Sequence, residues 1–185
     1  MAKIKICGLK RNEDIAYVNE LKPDYIGFIL SQGFRRSIAV EEARELKSML
    51  GSGIKAVGVF VNEPIENVCL DFIVLVQLHG SESPEYCAKI EIPVIKELKP
   101  DMFDQIKDYE PYVDYFLFDA GCGEGKTFEW NRIPKTIKPF FLAGGLGTDN
   151  LREAIESINP YAVDMSSSVE TDGTKGSNEN LRVER

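Results

Sequence analysis

Histidine and tryptophan each occur once, as His79 and Trp130, and the four cysteines stand far apart at positions 7, 69, 87 and 122. No two of them have the C-x-x-C spacing, so no zinc site is expected, and scattered thiols of this kind suit a reducing, cytoplasmic setting. No apolar run approaches the roughly 20 residues of a membrane span. The opening Met1-Ala2-Lys3-Ile4-Lys5-Ile6 lacks the apolar core and cleavage pattern of a signal peptide. Positive charge is also scarce: 22 Lys and Arg against 30 Asp and Glu, a net charge of -8. Nucleic acid is therefore not expected as a partner, since phosphate backbones need clustered Lys and Arg; nor is a membrane. A P-loop is missing as well. Gly125-Lys126-Thr127 resembles its end, but Ala120 stands where the motif needs its first glycine, and Pro134 comes too early for the long helix that should follow.

What is present is a soluble, globular composition, 43% hydrophobic, over 185 residues. No composition shift, linker or internal repeat divides the chain, and one domain over residues 1–185 is expected. Short apolar strands are predicted at 3–7, 25–30, 56–61, 72–78, 93–98, 115–119, 140–143 and 161–165. Between them, Asn12 can cap a helix with Ile15, Val18 and Leu21 on one face, and residues 40–50 form a second helix closed by Gly51. Residues 62–70 leave room for only two helical turns. Ser83-Pro84-Glu85 opens a fourth helix, 101–109 is a fifth, 128–137 fits a short one, and Thr148-Asp149-Asn150 opens another. Eight strands alternating with eight connections imply parallel pairing and right-handed crossovers. The predicted class is α/β, a compact (β/α)8 TIM barrel with shortened helices after strands 3, 6 and 8. The chain is small for that fold, for which about 200 residues is the usual lower figure. An open, doubly wound sheet of eight strands is the other topology the pattern allows.

In a barrel, function gathers at the carboxyl ends of the strands. Those ends carry Cys7, then Arg35 and Arg36, then Gln77 and His79, then Asp119. The last two strands end in Gly144-Gly145 and in Asp164-Met165-Ser166-Ser167-Ser168, one glycine-rich and one hydroxyl-rich. Adjacent strand ends of this kind suit a phosphate, because glycine lets backbone N–H groups approach an anion closely. A thiol, a carboxyl group, a cation and a phosphate cradle would then surround one small phosphorylated molecule. Each residue also has a plainer reading. Cys7 fits as core filler, Asp119 as a loop cap, and Arg35 and Arg36 as solvated charges. His79 reads better as a satisfied core histidine than as a ligand, and Cys69, Cys87 and Cys122 as structural or incidental.

Six segments, taken in order, resemble the phosphoribosylanthranilate isomerase family over nearly the whole chain. They are Lys5-Ile6-Cys7-Gly8; Gly58-Val59-Phe60-Val61-Asn62; Val76-Gln77-Leu78-His79-Gly80; Asp119 with Gly123-Glu124-Gly125-Lys126-Thr127-Phe128-Glu129-Trp130; Leu142-Ala143-Gly144-Gly145-Leu146; and Val163-Asp164-Met165-Ser166-Ser167. The resemblance implies a (β/α)8 barrel that uses no metal and no organic cofactor. It implies an Amadori rearrangement of N-(5'-phosphoribosyl)anthranilate in tryptophan biosynthesis, with Cys7 as general base and Asp119 as general acid. It also implies Arg36, Gln77 and Asp164 as substrate-binding residues, Gly144, Gly145, Ser166 and Ser167 as the phosphate site, and a monomer or homodimer. The chain departs from the family in having Ser168 where a glycine is usual, in a short third helix, and in a tail with room for one short final helix. Another phosphosugar isomerase or epimerase on a barrel, or a catalytically silent phosphate-binding barrel, would share the cradle. The histidine-pathway isomerase would want an aspartate in place of Cys7, and an epimerase would want metal ligands.

Overall fold

In the computed structural model the described residues are 1–68, 70–119, 130–171 and 174–175. Cys69, Cys122, residues 123–129 of the fourth resembling segment, and residues 176–185 of the tail lie outside them. Eight strands form the centre: β1 (Lys3–Cys7), β2 (Tyr25–Ile29), β3 (Lys55–Phe60), β4 (Leu75–Leu78), β5 (Val94–Leu98), β6 (Tyr115–Asp119), β7 (Phe140–Ala143) and β8 (Ala162–Met165). Each pairs in parallel with the next, and β8 pairs with β1, so the sheet closes into a barrel and the open-sheet alternative falls away.

Closure explains why the strands read as apolar on both faces. Alternate residues point to opposite sides of a strand. One set, including Tyr25, Val57, Leu75, Ile95, Leu117, Phe141 and Ala162, fills the barrel. The other, including Ile6, Phe28, Val76, Phe116, Leu142 and Val163, packs outward in a second core. The amino-terminal end is sealed by aromatic rings. Phe141 lies 5.5 Å from Tyr25 and 5.6 Å from Tyr115, in edge-to-face pairs, and the Tyr25 and Tyr161 hydroxyls are 2.9 Å apart. Such pairs are worth about 0.5–1.5 kcal/mol each beyond their buried area. The floor is closed, so access is from the carboxyl end.

The connections are shorter than the sequence suggests. Helix α1 (Asn12–Leu21) carries Asp14 in its first turn, where its carboxylate accepts the N–H groups of Lys10 and Arg11 at 2.9 and 3.1 Å; Arg11 is the N-cap, and Asn12 lies inside the helix rather than capping it. Helix α2 (Val40–Ser48) stops two residues early. A single 3-10 turn, Ile65–Asn67, follows β3. Strand β4 starts at Leu75 rather than at 72, because Ile73 turns back to donate to the Leu70 carbonyl and Val74 is exposed. Helix α3 (Pro84–Cys87) is one turn, started by Ser83, whose hydroxyl accepts the Tyr86 N–H. The expected helix at 101–109 is a 3-10 segment, Pro100–Gln105, followed by α4 (Ile106–Tyr109). Trp130–Arg132 is a 3-10 turn, and α5 (Leu151–Ile158) is again α-helical. After β8 comes a 3-10 turn, Ser167–Val169, then a small antiparallel hairpin of β9 (Glu170–Thr171) and β10 (Thr174–Lys175), where a final helix was expected to begin. Among the described residues no helix is long and apolar enough to cross a membrane.

Candidate active site

The carboxyl ends of the strands surround a cavity of about 760 Å³, lined by every residue singled out from the sequence as a site candidate. Register decides which of them are neighbours. Lys5 is paired with Asp164 across β1 and β8, so both side chains enter the barrel side by side. Their ion pair is 2.7 Å long and almost wholly buried. Burial pulls the Lys5 ammonium down, but the Asp164 carboxylate and the Cys7 sulfur together outweigh it and leave the pKa raised. A fixed positive charge therefore stands beside Cys7. In the β1–β2 register Cys7 faces Gly27, and a Cβ at position 27 would meet the Cys7 sulfur at 2.7 Å. The thiol occupies space that only a glycine leaves open.

Arg36 is brought in by the loop after β2. That loop is pinned by Ile38 N–H to the Ile29 carbonyl at 3.0 Å and by Ser37 Oγ to the Ser31 carbonyl. The guanidinium is already engaged, donating to Ser166 Oγ and, at 3.0 Å, to Glu170 Oε1. Arg35 donates to the other Glu170 oxygen at 2.6 Å. Ser166 thus faces Arg36 and the Cys7 carbonyl, to which its hydroxyl donates at 3.2 Å.

The expected cradle is one continuous surface. Gly144 and Gly145 have φ of 85° and 64°, the left-handed region that glycine enters freely. Asn150 holds their loop, accepting the Gly147 N–H and donating to the Gly145 carbonyl, both at 2.9 Å. A Cβ on Gly147 would lie 3.5 Å from Ser168 Cβ, so the loop after β7 touches the turn after β8. The Ser168 hydroxyl is buried with no hydrogen-bond partner among the described residues. The same is true of Gln77 Oε1 and Asp164 Oδ1, each on a cavity-lining residue. Buried polar atoms are almost always paired. Three orphans around one cavity mark positions for the donors and acceptors of a polar ligand.

The opposite wall is acidic. Asp119 ends β6, Glu97 enters from β5, and His79 follows β4. One side-chain atom from each lies within 4.8 Å of the other two. His79 is not a core histidine: about a third of its side chain is open to the cavity, its Nε2 is 3.7 Å from Glu97 Oε1, and its Nδ1 is 3.2 Å from Gln77 Nε2. Burial, with Lys5, Lys99 and Lys96 nearby, pushes its pKa down to about 4, so the ring is neutral at neutral pH. Burial pushes Glu97 up to about 7. The wall is held from outside by Glu82, which accepts from Lys96 at 3.0 Å and from the N–H groups of Asn62 and Gly80.

The sequence-derived site residues therefore converge. Lys5, Gly27, Glu97 and Glu170 were missed. Two-residue periodicity places Lys5 on the same strand face as Cys7, but no local signal marks Glu97.

The model of a family described as N-(5'-phosphoribosyl)anthranilate (PRA) isomerase matches residues 4–182. The N-(5'-phosphoribosyl)anthranilate isomerase of Endomicrobium trichonymphae is 44% identical over 96% of this chain and 94% of its own. Among solved structures, monomers generated from the dimeric phosphoribosylanthranilate isomerase of Thermotoga maritima superpose with a TM-score of 0.82 at 33% identity, covering 98% of this chain and 95% of that one. A phosphoribosylanthranilate isomerase in complex with reduced 1-(o-carboxyphenylamino)-1-deoxyribulose 5-phosphate gives 0.83 at 33% identity over 98% and 95%. Matched along nearly its whole length in sequence and in fold, the chain belongs to the N-(5'-phosphoribosyl)anthranilate isomerase family and is an isomerase of tryptophan biosynthesis.

Proposed function

We propose that this barrel rearranges N-(5'-phosphoribosyl)anthranilate to 1-(2-carboxyphenylamino)-1-deoxyribulose 5-phosphate, with Asp119 as general acid and Cys7 as general base. The observation that carries the assignment is their placement. Both line one cavity, on strands β6 and β1, three steps apart around the barrel. Asp119 gives its proton to the ribose ring oxygen as the C1'–O bond breaks, which leaves an iminium on the anthranilate nitrogen. Cys7, as thiolate, removes the proton from C2', and the enolamine so formed tautomerises to the ketone. The Lys5 ammonium stands beside the Cys7 sulfur, and the thiolate is the form of a cysteine that acts as a base or nucleophile. The chemistry needs one acid and one base, on opposite sides of one sugar.

The remaining contacts divide between the two ends of the substrate. Gly144 and Gly145, with Ser166, Ser167 and the orphan hydroxyl of Ser168, hold the phosphate. Arg36 takes the anthranilate carboxylate, displacing Glu170, which fills that position here. Gln77 Oε1 and Asp164 Oδ1 accept from sugar hydroxyls. The product-like ligand of the solved relative carries the same phosphate, sugar chain and carboxyphenyl group. We take the working unit to be a monomer or homodimer that acts in the cytoplasm.

Steady-state kinetics test the assignment. Cys7→Ser and Asp119→Asn should each lower kcat by about 10²–10⁴-fold, the usual contribution of a general acid or base, with little change in KM. Neither variant should restore growth to a tryptophan auxotroph lacking this isomerase. Near-wild-type kcat in Cys7→Ser would make the thiol a packing residue and sink the mechanism.

A further inference from the structure

The reaction asks Asp119 to hold a proton at a pH where Cys7 has lost its own, yet an isolated aspartic acid ionises near pH 4, at about 3.9. The wall around Asp119 supplies what an isolated acid lacks. Glu97 is 2% exposed and has no part in the mechanism above. A carboxylate oxygen of Glu97, a ring nitrogen of His79 and a carboxylate oxygen of Asp119 lie within 4.8 Å of one another. We infer that Glu97 is a positioning residue for the acid, sharing one proton with Asp119 so that the pair enters the reaction already protonated. The inference rests on the reading of Asp119 as general acid.

Two carboxyl groups this close do not both ionise freely, and they titrate as a pair. The groups facing Glu97 decide whether that repulsion survives. From its own strand and the turn after it come Lys96 and Lys99, which favour the carboxylate; from the segment after β4 come Glu82 and the neutral His79; from β6 comes Asp119. Lys96 points away from the cavity and is committed to Glu82 and to the Gly80 carbonyl, at 3.0 and 2.6 Å. Lys99 alone does not offset burial and the two acidic neighbours, and Glu97 stays high. His79 completes the arrangement without adding charge. With the Gln77 amide donating to Nδ1, the ring proton sits on Nε2, which faces Glu97. The ring orients one carboxyl of the pair and leaves the shared proton to the side facing Asp119.

Glu97→Gln keeps the shape and removes the ionisable partner. Measured across pH, one limb of the kcat/KM profile should move to lower pH by about one unit, because the like charge that Glu97 brings to Asp119 is then gone. The limb set by Cys7 should stay where it is. At pH 7.5 kcat/KM should fall about tenfold, with KM nearly unchanged. A residue with only a structural role would lower activity equally at every pH or lower the melting temperature without moving either limb; that result overturns the inference. Asp119→Asn in the same assay keeps the two readings apart. If it abolishes activity while Glu97→Gln leaves both limbs in place, Asp119 stands as the acid and Glu97 has no share in its proton. If Asp119→Asn retains full activity, Asp119 is not the acid and the inference falls with it.

Discussion

On the β8–β1 side of the cavity, Asp164 holds the Lys5 ammonium at 2.7 Å, beside a Cys7 thiol whose sulfur fills the space that a Cβ on Gly27 would need. On the β4–β6 side, the Glu97 and Asp119 carboxyl groups lie within 4.8 Å of each other and of a neutral His79 imidazole. Both sides are built mainly from inward-facing positions of parallel strands, and Lys5, Asp164 and Glu97 are buried. The difference lies in what register places next to what. A cation held in place by an anion gives a fixed positive charge beside the thiol. Two acids together give a site that prefers to keep a proton. On the assignment proposed above, a base and an acid can thus work at one pH on the two faces of a single sugar.

The comparison is broken most severely on its paired side. Lys5→Met removes the cation and leaves the buried Asp164 carboxylate uncompensated. Breaking a buried ion pair in this way costs about 3–5 kcal/mol. Urea denaturation should show that loss, and replacing Asp164 by a neutral residue in the same protein should recover much of it. If Lys5→Met were as stable as the wild type, the carboxylate would already be satisfied by other groups and the pair would not be what steadies this wall.

A smaller change tests how closely the thiol is placed. An alanine Cβ at Gly27 would lie 2.7 Å from the Cys7 sulfur and 3.3 Å from Cys7 Cα, so the sulfur has to move. Displacement of a catalytic group by about 1 Å can cost roughly 10²-fold in rate. Gly27→Ala should therefore lose about that much kcat while its KM changes little. Unchanged kcat would show that the sulfur has room to adjust.

Much of the molecule can be read from the sequence because its signals are local. Eight apolar runs bounded by turn residues locate the strands to within one residue, apart from the early start assigned to β4. Cys7, Asp119 and the glycines fall at strand ends, where the barrel places its chemistry. Lys5 and Glu97 are harder, for a definite reason. Alternation shows that Lys5 is opposite in facing to Ile4 and Ile6, but it does not say which face is outside. In an ordinary sheet the charged face meets water; in the mouth of a barrel it faces inward. Lys96 and Glu97 show the limit. They are adjacent and oppositely charged, and one turns out to Glu82 while the other enters the cavity. Glu170 is out of reach for another reason: its contact with Arg36 spans 134 residues and depends on a hairpin where a helix was expected.

The smallest expected effect concerns stability on the acidic side, and its sign follows from the proton balance. Glu97 has its folded pKa raised from 4.5 to about 7. Between those values the folded protein binds more protons at this site than the unfolded chain does, so its contribution to stability falls as pH rises through the window and levels off above it. His79, lowered from 6.5 to about 4, contributes the opposite slope between those values. That contribution is common to wild type and to Glu97→Gln, and it largely cancels in the difference between them. Glu97→Gln should match the wild type near pH 4.5 and become more stable than it toward pH 8, by an amount on the order of 1–3 kcal/mol. The same substitution should slow the reaction, so the acidic wall trades stability for a retained proton, as strained functional sites often do. Urea unfolding of both proteins at pH 5, 6.5 and 8 measures the difference directly. A gap that stays constant across the three would mean that the carboxylate of Glu97 is held in the fold without strain, and that the two walls differ less in their electrostatics than their geometry implies.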